Sequence, residues 1–107
     1  MPKFMYQGSY TPEGLMGLKK DTASGRRAAV KAAIKGLGGK LESIYYAFGS
    51  DDVIVIMDLP DNIAAARMAA SVGQSGMVSG FTTPLLTCEE MDEALSKTAK
   101  YAAPGQA

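Results

Sequence analysis

Two adjacent tyrosines, Tyr45 and Tyr46, with the carboxylate of Asp51 shortly after them, are the residues of this 107-residue chain best suited to chemistry. A phenol near a carboxylate in an apolar pocket can donate a hydrogen bond or a proton, most readily when burial perturbs the carboxylate. In a strand the two rings point to opposite faces, so at most one lines a given cavity. Both equally suit a core or an interface that supplies a partner for each hydroxyl. Asp51, Asp52, Asp58 and Asp61 crowd one stretch and are the residue type of a paired acid–base or hard-metal site. Their spacing matches no calcium loop, and turn chemistry and helix capping account for them, so no metal site is expected. Cys88 stands near a helix start, which lowers a thiol pKa, but Glu89 and Glu90 oppose that effect. It reads as an inert or oxidation-prone thiol.

The absences narrow the field. Without histidine or tryptophan, the chain has no His-based triad and no His metal site. It also lacks CxxC, a GxGxxG after a strand, and a GxxxxGK[ST] loop, and no cofactor is implied. Eleven basic and eleven acidic residues cancel, so no global field recruits nucleic acid or an acidic membrane. Between Lys19 and Lys40 seven bases face a single acid, Asp21. A solvated helix face explains them better than an RNA stripe, since no aromatics interleave for base stacking. The N-terminal MPKFMYQGSY lacks the apolar core of a secretory signal, and no run approaches a membrane span. One cysteine and no signal lead to an expected cytoplasmic location.

These residues sit on elements readable from periodicity. Lys3 to Tyr10 alternates as a strand with Phe4, Tyr6, Gly8 and Tyr10 on one face. Thr11-Pro12-Glu13 opens a helix, with a capping Thr, a first-turn Pro and an acid at the positive end of the dipole. The turn formers Asp21 to Gly25 predict a break, after which Ser24 caps a second piece from about Arg26 to Leu37. Val30, Ala33, Ile34 and Leu37 of that piece face a sheet, while Arg27, Lys31 and Lys35 form an outer basic stripe. Gly36, Gly38 and Gly39 close it.

A hairpin follows. Simple alternation groups Leu41, Ser43, Tyr45 and Ala47 on one face and Glu42, Ile44, Tyr46 and Phe48 on the other. Val53 to Met57 is apolar on both faces, as a central covered strand should be. Asp61 caps a thin, Ala-rich helix from Asn62 to about Gln74, carrying Arg67 as its only base. Met77 to Leu85 alternates as a last strand, with Pro84 marking an edge position or the strand end. Thr87 and Glu90 form a capping box for a final short helix.

This order predicts an α+β, ferredoxin-like βαββαβ fold with an extra C-terminal helix and a four-stranded antiparallel sheet. Right-handed crossovers place strands one and three at its centre, and that pair is expected to be parallel. One domain spans 1–97, and 98–107 reads as a flexible tail. Two helices cover one face. The other, left open, is too apolar for a monomer, and the expected partner is a second copy, giving a dimeric α+β barrel, alone or within a higher homo-oligomer.

The blocks YTPEGLMGL, GRRAAV, GGKLESIYYAFGSDDVIVIMDLPDN and TTPLLTCEEMDEAL together resemble the GYD-domain family of small bacterial and archaeal proteins, from about Tyr6 to Leu95. The resemblance implies a ferredoxin-like, dimeric α/β-barrel subunit and carries no settled activity. The chain departs from the name-giving Gly-Tyr-Asp, reading Gly49-Ser50-Asp51, and has Cys88 where a Pro often begins the last helix.

The expected function is binding of a small, largely apolar ligand at a sheet–helix or subunit interface, held by Phe4, Tyr6, Tyr45 and aliphatic neighbours, with Arg67 for an anionic group. The alternative is a cofactor-free isomerase, decarboxylase or monooxygenase using Tyr6, Tyr45, Tyr46 or Asp51, an analogy of fold alone. A regulatory or scaffold subunit is the third reading.

Overall fold

A computed structural model describes residues 1–106. Strands β1 (Lys3–Tyr10), β2 (Lys40–Tyr46), β3 (Val53–Asp58) and β4 (Val78–Leu85) form one sheet in the order β2-β3-β1-β4. Helices α1 (Pro12–Gly36), α2 (Asn62–Gln74) and α3 (Cys88–Leu95) complete a ferredoxin-like α+β fold. The doubly apolar β3 lies inside the sheet, as its composition requires. Its orientation corrects one expectation: β1 and β3 are antiparallel. The α1 crossover returns the chain parallel to β1, and the β2–β3 hairpin then reverses it, so β3 runs against β1.

Val53, Val55 and Met57 point to the helices and are buried. With Phe4, Ile34, Leu59, Ala64 and Ala65 they make the core. Simple alternation fails in β2. A bulge between Leu41 and Ser43 shifts the register, because two residues of a bulged strand oppose one on its neighbour. Leu41 therefore lies opposite Met57, Ile44 opposite Val55 and Tyr46 opposite Val53. All three share the helix side. Ser43 and Tyr45 are opposite Ile56 and Ile54 and face away.

The face away from the helices is uncovered. It carries Met5, Tyr45, Ile54, Ile56, Phe81 and Leu85 by register, with Tyr45 and Phe81 well exposed. At one end Lys3 donates to Asp58 at 2.8 Å and to Glu42 at 2.6 Å. These contacts raise the Lys3 pKa, the bond to Asp58 contributing most.

The predicted break in α1 is a kink at Thr22, whose φ is 69° and ψ 161°. That region is nearly glycine-only, and a β-branched residue there is strained. Thr22, not Ser24, caps the second half: its Oγ1 accepts from the Gly25 N–H at 3.2 Å. The end of α1 is a Schellman closure. Gly38, at φ 80°, donates to the Lys35 carbonyl and Gly39 to that of Ile34, both at 3.0 Å, the left-handed residue favouring glycine.

Helix α1 lies against β2 and α2 against β4, and the two helices scarcely touch each other. Asp61 caps α2, its Oδ1 accepting from the Ala64 N–H at 2.8 Å. The capping box on α3 forms as read, with Thr87 and Glu90 bonded reciprocally at 2.9 and 3.1 Å. Yet α3 buries no residue and meets the rest of the fold only marginally. The radius of gyration is 17.0 Å, against about 13 Å for a compact chain of this length. Residues 97–106 carry neither helix nor strand and are exposed. Among the described residues no helix is long and apolar enough to cross a membrane.

Candidate functional site

Because α1 and α2 stand apart, a cleft of about 440 Å³ opens between them over the sheet. Strand β1 delivers Tyr10 to it, β4 delivers Val78, and α2 delivers Met68 and Val72. The kink at Thr22 matters here, since it lets both halves of α1 border the same space. The first half contributes Gly14, Gly17, Leu18 and Asp21; the second contributes Arg26, Ala29, Val30 and Ala33. A smaller recess of about 70 Å³ lies beneath, reaching Tyr6, Ile44 and Val55 and sharing Tyr10, Arg26 and Met68 with the cleft above.

Gly14 allows this closeness. A Cβ there would meet the Met77 carbonyl oxygen and would also crowd the Tyr10 ring. The Met77 carbonyl also accepts from the Thr11 N–H at 2.9 Å, so the start of α1 is tied to the start of β4.

The polar groups of the cleft are few. Tyr10 stacks on Tyr46 with ring centroids 6.4 Å apart and planes 16° from parallel, and their hydroxyls are 3.4 Å apart. Burial first, then the Tyr46 hydroxyl, pushes the Tyr10 pKa well above its ordinary 10.0. Burial and the charge of Asp51 raise that of Tyr6. Both phenols are therefore neutral donors at physiological pH, not bases. Arg26 is the cation of the cleft. It approaches Asp21 at 3.5 Å across the kink, with about two-fifths of its side chain exposed. Such a pair is weak, and a guanidinium with five N–H donors keeps several free for a second acceptor.

The residues singled out from sequence are scattered. Tyr6 lines the inner recess. Phe4 does not line the cleft: only 3 % exposed, its ring is part of the core. Tyr45 and Tyr46 are separated by the sheet, Tyr46 stacking at the cleft side and Tyr45 lying on the far face, 69 % exposed. Arg67 is exposed on α2 and borders neither space. Asp51 and Asp52 hold the β2–β3 turn to the end of β1. The Asp52 N–H donates to the Gly8 carbonyl at 2.8 Å, its Oδ2 accepts from the Tyr10 N–H at 2.8 Å, and Ser9 donates to Asp51 at 3.4 Å. Among the described residues no group of three or more His, Cys, Asp or Glu is placed to hold a metal. Cys88 is exposed on α3.

Tyr10, Arg26, Met68 and Val72 line the cleft and were not among the residues singled out from sequence. The signal was present: alternation put Tyr10 on the face of Tyr6, and Arg26 precedes Val30 and Ile34 at four-residue spacing on the inner side of α1.

Fold and cleft together define a ferredoxin-like α+β domain with an apolar recess under a kinked helix. The profile of the GYD domain matches residues 4–95, and the chain belongs to that family. Comparison with curated proteins and with solved structures returned no match.

Proposed function

We propose that this protein is a homodimeric binding protein for a small, largely apolar molecule carrying one anionic or strongly accepting group. The apolar body fills the cleft over Val30, Met68, Val72 and Val78, while Arg26 and the Tyr10 hydroxyl meet the polar end. The observation that carries this is the cleft itself, an apolar space of about 440 Å³ with a single guanidinium among its lining. Pockets of this size, apolar with few convergent polar groups, are the usual form of small-molecule sites. The raised pKa values of Tyr6 and Tyr10 favour binding over proton abstraction, because neither phenol is poised as a base near neutral pH. Dimerisation through the open sheet face covers Ile54, Ile56 and Phe81.

8-Anilinonaphthalene-1-sulfonate, an apolar anion, is a suitable probe. Wild-type protein binds one probe per chain at micromolar concentration with a rise in fluorescence. Ala33→Trp fills the cleft from an exposed position on α1 and abolishes that binding. Arg26→Gln weakens it about tenfold, the loss of one charge-assisted contact of about 1.5 kcal/mol. Unchanged binding by Ala33→Trp overturns the cleft as the site.

A further inference from the structure

Helix α3 is amphipathic and without a partner. Cys88, Met91 and Leu95 follow one another at spacings of three and four and so form one apolar side. Glu89, Glu90, Asp92 and Glu93 occupy the rest of its surface. Met91 is 45 % and Leu95 68 % exposed. An eight-residue helix with that stripe in water gains little from propensity and needs packing to persist.

A surface of the complementary kind lies on the opposite edge of the molecule. The outer side of α1 and strand β2 form a groove lined by Ala28, Leu41, Ile44 and Tyr45, with Arg27 and Lys31 on its helix wall and Glu42, paired with Lys3, on its strand wall. Its aliphatic floor suits Met91 and Leu95, and its bases match the acids flanking them. The chain's own α3 cannot lie there. It follows β4 after only Leu86 and Thr87, a link of about 10 Å at most. The groove lies beyond β1 and β3 at the β2 edge, three strand spacings or about 14 Å away, and around the sheet's rim.

We propose that α3 of one copy docks into the α1–β2 groove of a second copy, Met91 and Leu95 covering Leu41, Ile44 and Tyr45, and Glu89 and Asp92, which share one flank of the stripe, pairing with Arg27 and Lys31. This inference rests on the self-association proposed above. The sheet-face contact supports it: when two sheets pack about a two-fold axis parallel to their strands, β4 of each copy lies by β2 of the other, and α3 emerges beside the groove. The exchange is reciprocal, an isologous contact that closes at two subunits.

The test uses the chain's only cysteine. Cys88 lies on the apolar side of α3, so docking covers its thiol. In wild-type protein, Cys88 reacts with 5,5′-dithiobis(2-nitrobenzoic acid) at least tenfold more slowly than in either of two charge-reversed variants, Arg27→Glu/Lys31→Glu and Glu89→Lys/Asp92→Lys, the second leaving the Thr87–Glu90 capping box intact. Mixing the two variants, with time to exchange subunits, restores slow labelling in about the fraction that forms mixed dimers. Each mixed dimer pairs an acidic helix with a basic groove and a basic helix with an acidic one. Rescue in the mixture is possible only between chains. Equal labelling in wild type and both variants, or a mixture no slower than its parents, overturns the docking of α3. Native mass spectrometry on the same samples separates the two proposals. A wild-type dimer with a fast thiol removes only the α3 contact, whereas a wild-type monomer removes it together with the dimer.

Discussion

Tyr10 and Tyr46 stack with their ring planes 16° from parallel and their hydroxyls 3.4 Å apart. The contact joins the last residue of β1 to the last residue of β2, two strands that are not neighbours in the sheet. It exists because Tyr46, paired opposite Val53, lies on the helix side, where Tyr10 already stands. Burial raises the Tyr10 pKa above its ordinary 10.0, and Tyr6 shifts in the same direction. A phenol with a raised folded pKa holds its proton more tightly in the native state than in the unfolded chain. Its contribution is complete below the unfolded value and is lost as pH climbs through the folded one. Lys3, raised above 10.5, acts in the same direction. The expected outcome is stability flat from pH 8 to pH 10 and falling above it. Tyrosinate absorbance at 295 nm should show a late step that disappears in Tyr10→Phe. Full ionisation of all tyrosines near pH 10 in folded protein contradicts the stacked, buried pair.

Gly14→Ala should destabilise the fold by about 1–3 kcal/mol, the range for forced overpacking. The added methyl meets the Met77 carbonyl, which is backbone and cannot rotate aside, and pushes the start of α1 off β4. Gly17→Ala, where nothing lies within 4 Å of a Cβ, is the control and should be neutral or slightly stabilising through helix propensity. Urea denaturation of the two variants reads the difference. Equal midpoints would mean that α1 does not seat against β4 as described.

Thr22→Gly should stabilise the protein. The strain of a β-branched residue at φ 69° is of order 1–3 kcal/mol, and glycine removes it while losing only a few tenths from the cap. The added freedom of the unfolded chain offsets up to about 1 kcal/mol. A net gain of about 1 kcal/mol should raise the urea midpoint. A marked loss would show that the Thr22 hydroxyl, not the backbone bend, holds the kink.

Ile56→Lys places a charge at the centre of the open sheet face, opposite Met5 and Ser43. In the proposed dimer, burying an unpaired ammonium at the interface costs at least about 2 kcal/mol, so its dissociation constant should rise thirtyfold or more. Circular dichroism should stay unchanged, because Ile56 points away from the core. A variant that remains fully dimeric at micromolar concentration by native mass spectrometry would place the interface elsewhere.

Local chemistry carried much of the fold. Thr11, Asp61 and Thr87 cap helices where their side chains reach an N–H three residues on, and three residues is a distance that sequence spacing expresses directly. The doubly apolar Val53–Met57 run marked a central strand, the break in α1 fell within the turn formers, and Gly38 closed the helix, all for equally local reasons. The blocks that resemble the GYD family did likewise, since a family profile is a linear pattern.

What the chain alone did not decide depends on partners far apart in sequence. A one-residue bulge at Leu41/Ser43 is visible only against β3, and it moved Leu41 across the sheet. The direction of β3 relative to β1 followed from how crossovers and a hairpin combine. Arg26 rather than Arg67 became the cation of the cleft because a kink folds one half of α1 towards the other across Asp21. The cleft itself belongs to no segment. It is the gap between two helices that pack on the same face of the sheet, α1 over β2 and α2 over β4, and a gap between elements has no periodicity of its own.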